Sequence, residues 1–295
     1  MYIPMWVRRT RKEWGRSDAK RDSICTEPET ISILKDLKYR EKEDTDKWDL
    51  MDLYRPLAYE GKLPVIVSIH GGGFFYGDKE VYRFYCMDLA TYGFAVINFN
   101  YHIAPEKRFP APMEDANAVF TWLSCHADEY DLDKERVILI GDSAGAQMAN
   151  QYAAIWSNPA YAKLFGLQVP DVTIRGVNLS CGIYNIPEAF RKKDNVSVNY
   201  LGRKFDINDP RIHVEKFITD RYPDTFIFSA HHDFLREEME PQASLLESCG
   251  VSVIRKVYGA PDRPEVGHVF QTNFALPETK AWKEEFSAWA HEKVG

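Results

Sequence analysis

A serine hydroxyl is a poor nucleophile at neutral pH unless its surroundings activate it. The best candidate in this chain is Ser143, at the centre of Gly-Asp-Ser-Ala-Gly, residues 141 to 145. The pentapeptide closes an apolar run, residues 136 to 140, and opens a helix-compatible stretch, residues 144 to 156. Glycines two residues either side of a serine remove the Cβ atoms that would clash in a sharp strand-to-helix turn, and such a turn lifts the hydroxyl clear of a sheet. The pattern also occurs in ordinary turns, so its meaning depends on partners: a base, a group that orients the base, and donors for the oxyanion of a tetrahedral intermediate. Residues 63 to 69 read as a buried strand running into His70-Gly71-Gly72-Gly73, where bare backbone N–H groups can be aimed at a developing charge.

Several further motifs stand in order along the chain: His70-Gly-Gly-Gly-Phe74, Asn100-Tyr-His-Ile-Ala-Pro-Glu106, Phe109-Pro-Ala-Pro-Met-Glu-Asp-Ala116, Gly141-Asp-Ser-Ala-Gly145 and Asp233-Phe-Leu-Arg-Glu237. In these the chain resembles the hormone-sensitive-lipase-like branch of the α/β-hydrolases, a group of carboxylesterases and lipases. The resemblance covers roughly residues 45 to 292 and is weakest over the first thirty residues and over 183 to 224. It implies an α/β-hydrolase fold, with a mostly parallel central sheet flanked by helices, and a triad in the order nucleophile, acid, histidine. Ser143 is then the nucleophile. Asp233, in the loop after the apolar run 225 to 230, is the acid. His268, in the Pro- and Gly-rich loop after the strand pattern 251 to 257, is the base. The same resemblance makes Ala144 one oxyanion donor and the glycine loop the source of the others, Gly72 and Gly73 first and Gly71 next.

Other residues compete for these roles. His231 and His232 stand beside Asp233, but adjacent residues of an extended segment point to opposite sides and no Cys or Glu cluster completes a ligand set, so no metal and no cofactor is expected. Asp262 and Glu265 are alternative acids, badly placed for a strand end. His70 is read as fixing the glycine loop by hydrogen bonding, and Asp142 as bracing the neighbouring loops. His102, His126, His213 and His291 carry no motif and default to structural or surface roles. Phe74, Phe75 and Tyr76 read as exposed aromatics that either line the acyl side of the site or pack in the core.

The elements that must hold these residues follow from periodicity. Ile31, Ile33, Leu37 and Tyr39 alternate, as do Trp48, Leu50 and Tyr54, which predicts an antiparallel hairpin with a charged connection. Apolar strands at about 64 to 70, 94 to 101, 136 to 141, 173 to 180, 225 to 230 and 251 to 257 alternate with helical stretches. Ala116, Val119, Phe120 and Leu123 mark one helix, and Trp282, Phe286 and Trp289 the last. Strands separated by helices imply parallel crossovers and a buried sheet. Residues 1 to 30 show little periodicity, and 183 to 224 are rich in charge, Asn, Pro and Tyr. In enzymes of the family that the chain resembles, these two regions form a cap over the nucleophile.

At 295 residues, 45% hydrophobic and 14% aromatic, the chain can build one large core, so a single domain over 1 to 295 is expected. A net charge of −7 argues against nucleic acid or an anionic membrane surface as partner. No apolar run approaches a membrane span, and the basic residues near the start follow a very short apolar patch, the reverse of a secretory signal. The five cysteines are widely spaced and odd in number, which suggests no disulfide framework. The expectation is a cytoplasmic serine carboxylesterase that cleaves small or medium acyl esters without a cofactor, with self-association into a homo-oligomer left open. An amide, formamide or acetyl-sugar hydrolase with the same triad is an alternative reading, and a catalytically silent ligand-binding relative is another.

Overall fold

The computed structural model of the chain describes residues 2–40 and 46–295. Among the described residues eight strands form one sheet: β1 Ile31–Lys38, β2 Leu50–Pro56, β3 Leu63–Ile69, β4 Ala95–Phe99, β5 Leu132–Asp142, β6 Ile174–Ser180, β7 Asp224–Ala230 and β8 Val253–Tyr258. Their order across the sheet is β1-β2-β4-β3-β5-β6-β7-β8. β2 runs antiparallel to both β1 and β4, and every pair from β4 to β8 is parallel. The helices are α1 Met5–Asp22, α2 Lys79–Ala90, α3 Ala111–His126, α4 Ala144–Ser157, α5 Pro159–Phe165, α6 Ile186–Arg191, α7 Asn195–Leu201, α8 Met239–Ser248 and α9 Pro277–Val294. The chain thus has the α/β-hydrolase architecture that its motifs imply, with the hairpin in place. The charged hairpin connection, residues 41 to 45, lies outside the described residues.

Every residue of β3 is buried, because helices cover both faces of the sheet. Val65, Val67 and Ile69 pack on one side with α3 and α4, while Ile66, Ile138 and Ile140 face α2 and α9 on the other. Burying each such side chain contributes roughly 1.5–3 kcal/mol, so these two layers fix the sheet on which the site stands. Ala144, Ala146, Ala149, Ala153 and Ala154 give α4 short side chains, and this helix enters the core almost completely buried.

Two local readings of the sequence need correction. The alternation expected through Tyr39 breaks between Leu34 and Leu37, where the register of β1 against β2 shifts and Asp36 takes a φ of 57°. Residues 1 to 30 hold an eighteen-residue helix, α1, despite their weak periodicity. Its one fully buried residue is Val7. The rest is held by aromatic and arginine contacts that hydrophobic spacing does not register. In the 183 to 224 segment the chain forms α6 and α7, followed by short helical turns at Pro210–Ile212 and Val214–Lys216. Among the described residues no helix is long and apolar enough to cross a membrane.

Candidate active site

β5 ends at Asp142 and α4 begins at Ala144, so Ser143 is the single residue between them. Its φ of 53° and ψ of −117° lie outside the regions an L-residue favours, a strain of about 1–3 kcal/mol that the surrounding packing must sustain. Two glycines make the turn possible. A Cβ on Gly141 would lie 2.2 Å from the Gly145 carbonyl oxygen, and one on Gly145 would lie 2.1 Å from the Ile69 carbonyl oxygen. The elbow is therefore pressed against β3, and the Ser143 N–H is tied to the Ser180 carbonyl of β6 at 2.8 Å.

His268 reaches Ser143 from the loop after β8. Its Nε2 is 2.9 Å from Ser143 Oγ, and its Nδ1 is 2.7 Å from Asp233 Oδ1. Asp233 Oδ1 also accepts the Leu235 N–H at 3.0 Å, and Oδ2 accepts the Ser229 hydroxyl at 2.7 Å. Burial alone would raise the Asp233 carboxyl, but the hydrogen bond and charge of His268, with the donors Leu235 and Ser229, outweigh it and hold the group below its ordinary value. Asp233 thus stays a carboxylate that orients an imidazole. The structure therefore brings Ser143, His268 and Asp233 into one chain of hydrogen bonds. Neither Asp262 nor Glu265 shares in it: Asp262 is exposed, and Glu265 pairs with Arg263 at 2.5 Å.

The two histidines before Asp233 serve a local purpose. His232 forms a parallel bridge with Gly267, one residue before Asp233 on one strand end and one residue before His268 on the other. His232 Nε2 also meets the Pro261 carbonyl at 3.1 Å, and His231 Nδ1 meets Arg236 Nη1 at 3.2 Å. This bridge carries the β7–β8 register out to Asp233 and His268. Cys181, Asp233 and His268 are close enough to resemble a metal-ligand set, and so are Asp49, His102 and Asp115. In the second group the Arg40 guanidinium already supplies a positive charge, with Nη1 2.7 Å from Asp115 and 3.4 Å from Asp49. His102 Nδ1 lies 2.9 Å from Asp115, a structural placement.

The glycine loop after β3 faces the serine. The N–H groups of Gly72, Gly73 and Ala144 have no hydrogen-bond partner among the described residues, and all three residues line the cleft above Ser143. Gly71 differs from the expectation. Its N–H is donated to the Tyr82 hydroxyl at 3.1 Å, and that hydroxyl donates to Asp142 Oδ2 at 2.6 Å. Gly71 is therefore engaged in bracing the loop and has no N–H left for an oxyanion. Tyr82 is one residue that sequence reasoning missed, and Ser229, which donates to Asp233, is another. Tyr82 lies on α2, and no local pattern marks a side chain that joins the glycine loop to the residue before Ser143. Asp142 and His70 take the bracing roles read for them, with His70 Nδ1 2.7 Å from the Gly71 carbonyl.

The cleft holds about 570 Å³. α1 contributes Trp14, Ser17, Asp18 and Arg21 to its wall, and the 183 to 224 segment contributes Ile183, Asp194 and Val196. Phe234, 77% exposed, lies over the His268 ring with centroids 4.4 Å apart. Of the three aromatics after the glycines, Phe74 and Tyr76 line the cleft, but Phe75 does not. Phe74 and Phe75 are also buried and not exposed as expected. Phe74 stacks on Tyr200 at 3.9 Å, and Phe75 is clamped between Trp6 at 5.0 Å and Trp14 at 5.3 Å. Rings brought in by distant segments bury them, which their local sequence does not reveal.

Residues 66–272 match the family described as alpha/beta hydrolase fold. A versiconal hemiacetal acetate esterase of Dothistroma septosporum is 24% identical over 252 residues, covering 79% of this chain and 74% of that protein. An acetyl esterase of Salmonella schwarzengrund is 39% identical over 93 residues, 31% of this chain and only 28% of its own length. Among solved structures, an inhibited esterase B from Lactobacillus rhamnosis superposes with a TM-score of 0.87 at 23% identity, covering 97% of this chain and 96% of that one. A bacterial heroin esterase superposes with a TM-score of 0.76 at 22% identity, covering 98% of this chain and 92% of that one. At such identities these two structures bear on the fold.

Proposed function

Because the chain belongs to the hormone-sensitive-lipase-like carboxylesterase family of the alpha/beta hydrolase fold, we propose that it is a serine ester hydrolase working through an acyl-enzyme. The observation that carries this reading is the hydrogen-bonded line from Asp233 Oδ1 through both ring nitrogens of His268 to Ser143 Oγ. In the first half-reaction His268 Nε2 takes the hydroxyl proton while Oγ attacks the ester carbonyl. Asp233 holds the imidazole in the tautomer that accepts this proton and stabilises the resulting cation. The N–H groups of Gly72, Gly73 and Ala144 receive the oxyanion, each at a worth of roughly a hundred- to a thousand-fold in kcat. The imidazolium then protonates the leaving alcohol oxygen. In the second half-reaction water, deprotonated by the same nitrogen, releases the acid and restores Ser143.

Acyl groups of small or medium size fit best. The cleft of about 570 Å³ must hold both halves of the ester, and its walls are closed by Trp14, Tyr76 and Val196. The acetate and acetyl esterases among the similar proteins support the same preference. A fluorophosphonate probe is expected to label the wild-type chain and to leave Ser143→Ala unlabelled. Nitrophenyl acetate and butyrate should be cleaved with higher kcat/KM than the palmitate, and Ser143→Ala should cleave none of them. An unlabelled wild-type chain would refute the hydrolase reading, and fastest cleavage of the palmitate would refute the acyl preference.

A further inference from the structure

A second cleft of about 700 Å³ opens between the start of α1, the turn before α3 and α7, and it shares no lining residue with the cleft above Ser143. Arg108, Arg203 and Lys204 line it, and no Asp or Glu does. None of the three cations takes part in an ion pair among the described residues. On a chain of net charge −7, three unpaired cations converging on one concavity make a local field of the opposite sign, which concentrates anions.

The cleft also has fixed polar geometry. Arg108 Nε donates to the Asn199 carbonyl at 3.2 Å, and its Cδ lies 3.3 Å from where a Cβ on Gly202 would stand. The stem of Arg108 is thereby laid along the end of α7, and its two Nη groups are left for a ligand. A guanidinium held by its stem and Nε presents a flat fork that matches a carboxylate. Trp6 and Phe205, both half-buried, supply apolar surface beside these donors.

We propose that this cleft is a binding site for a small organic carboxylate with a flat apolar body, its carboxylate held by Arg108 with Lys204 and Arg203 and its ring against Trp6 and Phe205. The site does not depend on the hydrolase reading. The test is a calorimetric titration of the wild-type chain with 1-naphthoate and, separately, with neutral 1-naphthamide. Naphthoate is expected to bind at one site, at least tenfold more tightly than the amide and more weakly as salt is raised. Prior labelling with fluorophosphonate should leave this affinity unchanged. Arg108→Gln and Lys204→Gln together should weaken naphthoate at least tenfold. Both positions are exposed, and surface changes of this kind usually leave stability almost unaltered. Arg203→Gln, a single exposed change, should weaken it several-fold. Absent binding, equal binding of acid and amide, unchanged affinity in these variants, or loss of binding after the label would each overturn the proposal.

Discussion

The Tyr82 hydroxyl serves two neighbours at once, accepting from Gly71 and donating to Asp142. Through it the loop that would receive the oxyanion and the turn that presents Ser143 share one fixed point. Tyr82→Phe leaves a buried N–H and a buried carboxylate each without this partner, at a cost of roughly 1–3 kcal/mol for each unsatisfied group. Ester hydrolysis in Tyr82→Phe should lose about tenfold or more in kcat with little change in KM, since misplacing donors that act only in the transition state removes a contact that lowers the barrier. Unchanged kcat in a folded variant would show that the brace is structural only. Ser143, Asp233 and His268 were legible because each stands in a motif or at the end of an apolar strand. Tyr82 and Ser229 were not legible, because each acts on a group that the fold alone brings near.

At the scale of elements, α1 depends on few contacts. Arg11 donates to the carbonyl oxygens of Phe75 at 2.7 Å and Ala104 at 3.0 Å, and it pairs with Glu106 at 2.6 Å. Arg21 donates to the Val81 carbonyl at 2.8 Å. Because polar anchors and two tryptophans hold the helix in place of an apolar stripe, hydrophobic spacing could not find it. The same composition predicts that α1 opens before the sheet does. Arg11→Gln should therefore speed tryptic cleavage within residues 5 to 22 at temperatures where the remainder stays intact, read as a time course of fragment masses. Cleavage no faster than in wild type would show that the aromatic clamp alone is enough. The central strands β3, β4, β6 and β7, by contrast, were legible almost to their ends, because burial on both faces leaves mostly apolar runs, whereas β5 begins four residues before its apolar run at 136 to 141.

For the molecule as a whole, two buried groups beside the glycine loop work against each other. Burial pushes the Asp142 carboxyl up to about 6, against the pull of Tyr82 and of the charges on His268 and Arg21. Burial likewise lowers the His70 imidazole to about 4, against the Gly71 carbonyl. Asp142 holds its proton more tightly folded than unfolded, so its contribution to stability is present at low pH and is lost as pH rises through about 6. His70 contributes stability above its unfolded value of 6.5 and loses it as pH falls toward 4. Each spans roughly two pH units, or about 3 kcal/mol, and the slopes oppose. Asp142→Asn removes one of them. Its unfolding free energy in urea should fall by about 3 kcal/mol more than that of wild type between pH 6.5 and pH 4. Parallel curves would refute this account.

The close approach of Gly145 to the Ile69 carbonyl has one more implication. Ile69 pairs with Gly141 across β3 and β5, so the donor loop that follows Ile69 and the serine that follows Gly141 are set by the same strand alignment. A slip of one residue between those strands would exchange the buried faces and separate hydroxyl from donors while leaving helix content nearly intact. Recovered probe labelling after refolding would then report how many molecules chose the right alignment, a quantity that circular dichroism does not measure.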